Sequence, residues 1–168
     1  MKRMWIVPAL SLVLIAGAYA AGRPRTAAQV PAKPDWEAVA ERLTSQCAGI
    51  REGDLLAIVG GPHDLELLEN IASQAGKRGA FPMLLMGSDR LTRRMFDDVP
   101  AQYDTRAPAW DMKLAENATA WITVDYNENP GLIAHVSPDR VFARSKAAQP
   151  VTDLMLKRGV RQVNLGNG

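Results

Sequence analysis

The stretch GDLLAIVGG, residues 53–61, decides the architecture. Leu55 to Val59 is apolar at every position rather than at alternate ones. A strand of that kind is buried on both faces, as in a parallel sheet covered by helices on each side. Glycines bound it at both ends. Reading outward, PHDLELLENIASQAGKRG (62–79) predicts a helix. Pro62 suits its first turn, Leu65, Leu68, Ile71, Ala72 and Ala75 form its apolar stripe, and Gly79 ends it. FPMLLM (81–86) is a second continuous apolar strand, WITVD (121–125) a third and VRQVNL (160–165) a fourth. Before them, Trp36, Val39, Ala40, Leu43 and Cys47 recur at helical spacing, with Asp35 as N-cap and Gly49 as the stop.

Between the second and third strands the pattern predicts a short helix near Asp89–Phe96, an irregular stretch DDVPAQYDTRAPAW (97–110) and a helix near Pro108–Asn117. One or two helices are expected over 127–150, with Ser137 as N-cap and Pro138 at the first helical position. A separate last helix is expected over TDLMLKRG (152–159). Apolar strands alternating with helices give an α/β fold: an open, mostly parallel sheet of about four strands with helices on both faces. The expected core includes Leu56, Ile58, Leu68, Ile71, Leu84, Leu85, Ile122 and Val124.

The amino terminus is organised differently. Lys2 and Arg3 precede an apolar run from Trp5 to Gly17, too short for a comfortable span of about 20 residues. Ala18-Tyr19-Ala20 has the small-residue form of a cleavage site. Residues 1–20 therefore read as a signal peptide and 21–34, rich in Ala and Pro, as a flexible linker to a domain over 35–168. The expected location is periplasmic or secreted; the alternative is an N-terminal membrane anchor. The chain has 20 basic and 18 acidic residues. Losing Lys2 and Arg3 with the leader balances the charge, so nothing suggests the clustered basic excess of a nucleic-acid binder, and no nucleic-acid partner is expected. Cys47 is the single cysteine. It allows no internal disulfide, and its place on an apolar helical face reads as a small core residue.

Few residues carry chemistry. His63 and His135 are the only histidines, and neither H-E-x-x-H nor a Cys pair accompanies them. A hydrolytic metal site needs at least three placed ligands, so both read as structural or surface residues. VGGPHD (59–64) puts glycines between a strand and a helix, the context for an anion. It lacks both nucleotide-binding glycine patterns, so backbone geometry is the preferred account. Ser45, Ser73, Ser88, Ser137 and Ser145 have no G-x-S-x-G frame; Ser88 and Ser137 stand where helix caps stand. Asp125 and Glu128 follow the third strand, where ligands meet an open α/β sheet; a solvated turn explains them as well. Asn117-Ala118-Thr119 fits a glycosylation acceptor, a motif common by chance. No catalytic, cofactor-binding or metal-ligating residue is assigned.

The segments CAGIREGDLLAIVGG (47–61), ASQAGKRGAFPMLLM (72–86), APAWDMKLAENATAWITVDYNENPGLIAHVSPDRV (107–141) and KRGVRQVNLGNG (157–168) together resemble the N-terminal domain of the thermophilic-type metallo-aminopeptidases. This is the aminopeptidase T and aminopeptidase S family, often described as leucyl aminopeptidase-like. The resemblance covers Trp36 to Gly168. It implies a hydrolase that releases N-terminal amino acids from peptides, using paired divalent metals, zinc or cobalt, held by a second, C-terminal domain. It also implies a dimer. No ligand of that second domain has a counterpart here, so no cofactor is expected in this chain. A leader departs from a mostly cytoplasmic family.

Three readings follow. The chain is the non-catalytic part of an aminopeptidase-like protein, inactive alone; or an exported module binding a peptide or small ligand; or a scaffold for a separately encoded catalytic half. The coding sequence beyond Gly168 separates them. Under the first and third, an apolar surface is expected beside Val160–Leu165, where another domain would pack.

Overall fold

A computed structural model describes residues 34–125 and 129–166. The expected leader at 1–20, nearly all of the linker, Glu128 and the last two residues lie outside the described residues. Helix α1 (Trp36–Arg42) runs into a π turn (Leu43–Cys47). Then follow β1 (Leu55–Gly60), a 3-10 turn (Pro62–Asp64), α2 (Leu65–Lys77), β2 (Phe81–Met86) and α3 (Asp89–Asp97). A second 3-10 turn (Ala101–Tyr103) leads to α4 (Ala109–Asn117), β3 (Ala120–Val124), α5 (Pro138–Arg158) and β4 (Arg161–Leu165). All three strand pairings are parallel, and the order is β2-β1-β3-β4. The α/β reading of the sequence holds.

The main core lies on the face covered by α1 and α2. Leu56 and Ile58 of β1 and Ala120, Ile122 and Val124 of β3 meet Leu67, Leu68, Ile71 and Ala75 of α2, Ala40 of α1 and Leu43 of the π turn. Each fully buried Leu or Ile there contributes about 1.5–3 kcal/mol. Trp121 alternates with Ala120 and Ile122, so it faces the other way. It joins Ala115 of α4, Val151, Leu154 and Met155 of α5, and Val160 in a smaller second core. Helices therefore lie on both faces, as expected.

Several expectations are corrected. Cys47 is exposed. Its helix widens: the Ala48 N–H reaches the Leu43 carbonyl at 2.8 Å, five residues back. The extra residue rotates Cys47 off the buried face and puts Ala48, 1% exposed, in its place. The hydroxyls of Thr44 and Ser45 bond the carbonyls of Ala40 and Glu41 at 2.9 and 2.7 Å. Gly49, at φ +53°, ends the turn. Pro62 opens the tight 3-10 turn rather than α2 itself, and the phase shifts so that Leu67 is buried while Leu65 is not.

Leu84 and Leu85 are not core residues. Strand β2 has a neighbour on one side only, and Phe81, Met83, Leu84 and Met86 are all exposed. An unbroken apolar run can thus be an edge strand. Where an apolar surface is expected beside Val160–Leu165, Val160 is buried, Leu165 is exposed and Leu156 at the end of α5 is 67% exposed. The helices expected on either side of Pro150 are one helix, α5. Pro150 withdraws one N–H from it. Pro150 and Lys146, the residue four before it, are both exposed, so the carbonyl that loses its partner belongs to the solvent side of the helix.

Candidate functional site

The two edges of the sheet differ in chemistry. At the amino edge Asp54 precedes β1, Thr119 precedes β3 and Arg161 opens β4. The Asp54 carboxylate takes the Arg161 guanidinium at 2.5 Å, the Thr119 hydroxyl at 2.7 Å and the Arg51 N–H at 2.7 Å. Burial pushes the Asp54 carboxyl up, but Arg161, Arg51 and Thr119 together hold it below its ordinary value. Arg161 also donates to the carbonyls of Ala48 and Gly49. These groups bond one another and lock three strands and the end of the π turn.

The carboxyl edge is where ligands meet this class of sheet, and strand order reverses between β1 and β3. After β1, Gly60 owes its identity to packing. A Cβ there would stand 2.7 Å from Leu68 Cδ2. Gly60 is thus explained by the seat of α2, so its presence in VGGPHD is no argument for an anion loop. His63 Nε2 lies 2.9 Å from Asp64 Oδ2. After β2, the Ser88 hydroxyl accepts the Leu91 N–H at 3.1 Å, the capping role read from the sequence. Ser137 stands before α5 without a side-chain capping bond. Asp89, in the first turn of α3, accepts the Asn129 N–H at 3.2 Å.

After β3, Asp125 is exposed and stands against Gly166. A Cβ on Gly166 would lie 3.1 Å from Asp125 Cβ. His135 is elsewhere: its Nε2 is 2.7 Å from Asp97 Oδ1 at the end of α3. The hydrogen bond from His135, with help from Arg93 and against burial, holds Asp97 below the usual carboxylate range. The two histidines are thus paired to different carboxylates. Among the described residues no three His, Cys, Asp or Glu side chains gather as a metal-binding set. No helix of the described residues is long and apolar enough to cross a membrane.

The sequence did not announce the most deeply buried carboxylate of the described residues. Asp104, 3% exposed, lies in the irregular stretch before α4. Arg140 Nε and Arg144 Nε, one turn apart on α5, each donate to it at 2.6 Å. Arg140 also donates to the carbonyls of Phe96 and Val99, and Arg144 to that of Met95. The Arg144 guanidinium stacks 4.2 Å from the Phe96 ring centre. Arg140 first, and Arg144 after it, outweigh burial and hold the Asp104 carboxyl at about 2. The cluster fastens α3 and the segment after it to α5. Both Asp104 oxygens accept guanidinium donors, which makes the cluster a clamp.

One apolar groove of about 210 Å³ opens on the α4 face, between Leu55 and Ala57 of β1, Phe81 and Met83 of β2, and Leu114 and Ala118. It exists because α4 and α5 gather over β3 and leave the β2 side of that face uncovered.

Comparison with known proteins gives the following. The family model described as thermophilic metalloprotease (M29) matches residues 32–164. Among solved structures, wild-type AmpT from Thermus thermophilus superposes with a TM-score of 0.63 at 18% identity, over 79% of this chain and 36% of that one. The chain therefore spans about a third of that protein's length. A structure from Corynebacterium glutamicum, described as a transcription regulation repressor of the LacI family, matches at 18% identity over 82% of this chain and 65% of that one. Its TM-score of 0.35 is too low to bear on the fold. No curated protein matches the sequence.

Proposed function

The chain belongs to the thermophilic metalloprotease (M29) family, and on that premise we propose that it is the non-catalytic α/β part of an exported metallo-aminopeptidase-like protein, inactive alone. The family reaction is hydrolytic release of N-terminal amino acids from peptides. The observation that carries the reading is the dispersal of the donors. His63 is held by Asp64 and His135 by Asp97, and no third ligand joins either pair among the described residues. A divalent ion, when bound, activates water and polarises the scissile carbonyl. The described residues do not fit such an ion, and no catalytic step is assigned to them.

The role of this domain is positional. A four-stranded sheet with a bonded amino edge and an α3–α5 clamp gives a rigid body against which a catalytic domain can be held. The match to about a third of AmpT supports this division of labour. Export is proposed from the basic, apolar and A-x-A order of residues 1–20. Calorimetric titration of the purified chain with zinc and with cobalt tests the reading. We expect no stoichiometric binding. A one-to-one or two-to-one site abolished by His63→Ala or His135→Ala would defeat it.

A further inference from the structure

We propose that the cleft formed by α3, α5 and the segment leading into α4 binds a small monocarboxylate with an apolar body, and that Arg106 and Arg144 take its carboxylate. This inference is independent of the catalytic reading.

The cleft has a volume of about 290 Å³, which suits a small molecule. Met95, Val99 and Pro108 supply apolar walls, and Arg106 and Arg144 supply the cations. Apolar walls with a few convergent polar groups are the make-up of a small-molecule site. It lies beside the Asp104 clamp, so one wall of the cleft is held by the bonds already described.

Arg106 is held ready for an anion. Its backbone N–H donates to the Tyr103 carbonyl at 3.1 Å and closes a turn, and its guanidinium lies over the Tyr103 ring, 4.3 Å from the centre. That contact occupies the face of the guanidinium and leaves its in-plane N–H donors available. Among the described residues no carboxylate pairs with it. Arg144 is anchored from the other side. It donates through Nε to Asp104 at 2.6 Å and through Nη2 to the Met95 carbonyl, and it lies over the Phe96 ring. Its Nη1 takes no part in these bonds. Both cations are therefore positioned before a ligand arrives, which lowers the ordering cost of binding.

The charges select the ligand. Arg140 and Arg144 bring two positive charges to the single carboxylate of Asp104, which leaves the clamp with one positive charge. Arg106 adds a second, and the exposed Asp111 in the first turn of α4 takes one away. One positive charge remains for the ligand. A neutral molecule gains nothing from it, and a dianion such as phosphate meets Asp104 and Asp111 with twice the repulsion. A carboxylate matches the guanidinium fork in shape as well as in charge.

The test is titration of the purified chain with isocaproate, with its neutral amide isocaproamide and with inorganic phosphate, at constant ionic strength, followed by backbone amide chemical shifts. Isocaproate should bind with a Kd on the order of 1 mM and shift the amides of residues 103–106 and of Arg144. It should bind about tenfold more tightly than the amide or phosphate. Arg106→Gln changes an exposed side chain and should weaken isocaproate by about tenfold in a folded chain. Asp111→Asn should tighten it by about threefold. If Arg106→Gln does not fold, the comparison of acid with amide in the unaltered chain decides. No saturable shift up to about 20 mM isocaproate overturns the proposal. So does equal binding of acid and amide, phosphate that binds as tightly as the acid, or a folded Arg106→Gln chain that binds like the parent.

Discussion

Replacing Arg161 by Met should cost stability in a pH-dependent way. The substitution keeps the aliphatic stem of a half-buried side chain and removes its charge. It deletes the 2.5 Å pair with Asp54 and the bonds to the Ala48 and Gly49 carbonyls. A hydrogen bond to a charged group contributes about 1.5–3 kcal/mol. Arg161 is about one-third exposed, so solvent screens part of this, and the expected loss at neutral pH is about 2 kcal/mol. With a urea slope of about 2 kcal/mol/M, the midpoint should fall by about 1 M. The pH dependence has a definite sign. Asp54 sits below its ordinary 3.8 when folded. Its contribution is complete above that value and disappears as pH falls through the lowered one. Without Arg161, burial acts with less opposition and that advantage shrinks. Urea unfolding of both chains at pH 7 and at about pH 3 should therefore show a gap that narrows in acid. A gap of equal size at both pH values would refute the electrostatic account. No gap at pH 7 would refute any structural role for the amino-edge lock.

Ile122→Ala, in a strand bonded on both sides and 0% exposed, should lower stability by about 3–4 kcal/mol, read by urea or thermal unfolding. Cys47 should react with a thiol reagent in the native chain as fast as a free surface thiol, and Cys47→Ser should change stability by less than about 0.5 kcal/mol. Asp104→Asn should speed amide exchange across residues 98–108 while leaving β1 and β3 protected, because the clamp to α5 loses its anion. In the parent chain that clamp should survive acidification well below pH 3.8, since Asp104 is held at about 2.

The central strand β1 was legible because an unbroken apolar run between glycines suits few other structures, and β3 shared its signal. Ser88 was legible as a cap because capping is a contact three residues long. What failed was set by distant partners or by a local departure from helical spacing. Nothing local says that β2 stands at an edge: Phe81–Met86 is as apolar as β1, and only the sheet order separates them. Cys47 kept a perfect helical interval, and one widened turn moved it to the surface. The Asp104 clamp joins positions 36 and 40 residues apart. Arg140 and Arg144 one turn apart on a helix were visible, but not the carboxylate they share. For the candidate site, the sequence supplied the sparseness of ligands. The structure supplied the packing reason for Gly60.

The most direct test of the central claim is release of leucine from a leucyl amide by the purified chain, with and without added zinc or cobalt. The account predicts no release above that of the metal ions alone. Metal-dependent turnover that co-purifies with the chain and is lost in His63→Ala or His135→Ala would contradict it, and would place a hydrolytic centre within this domain.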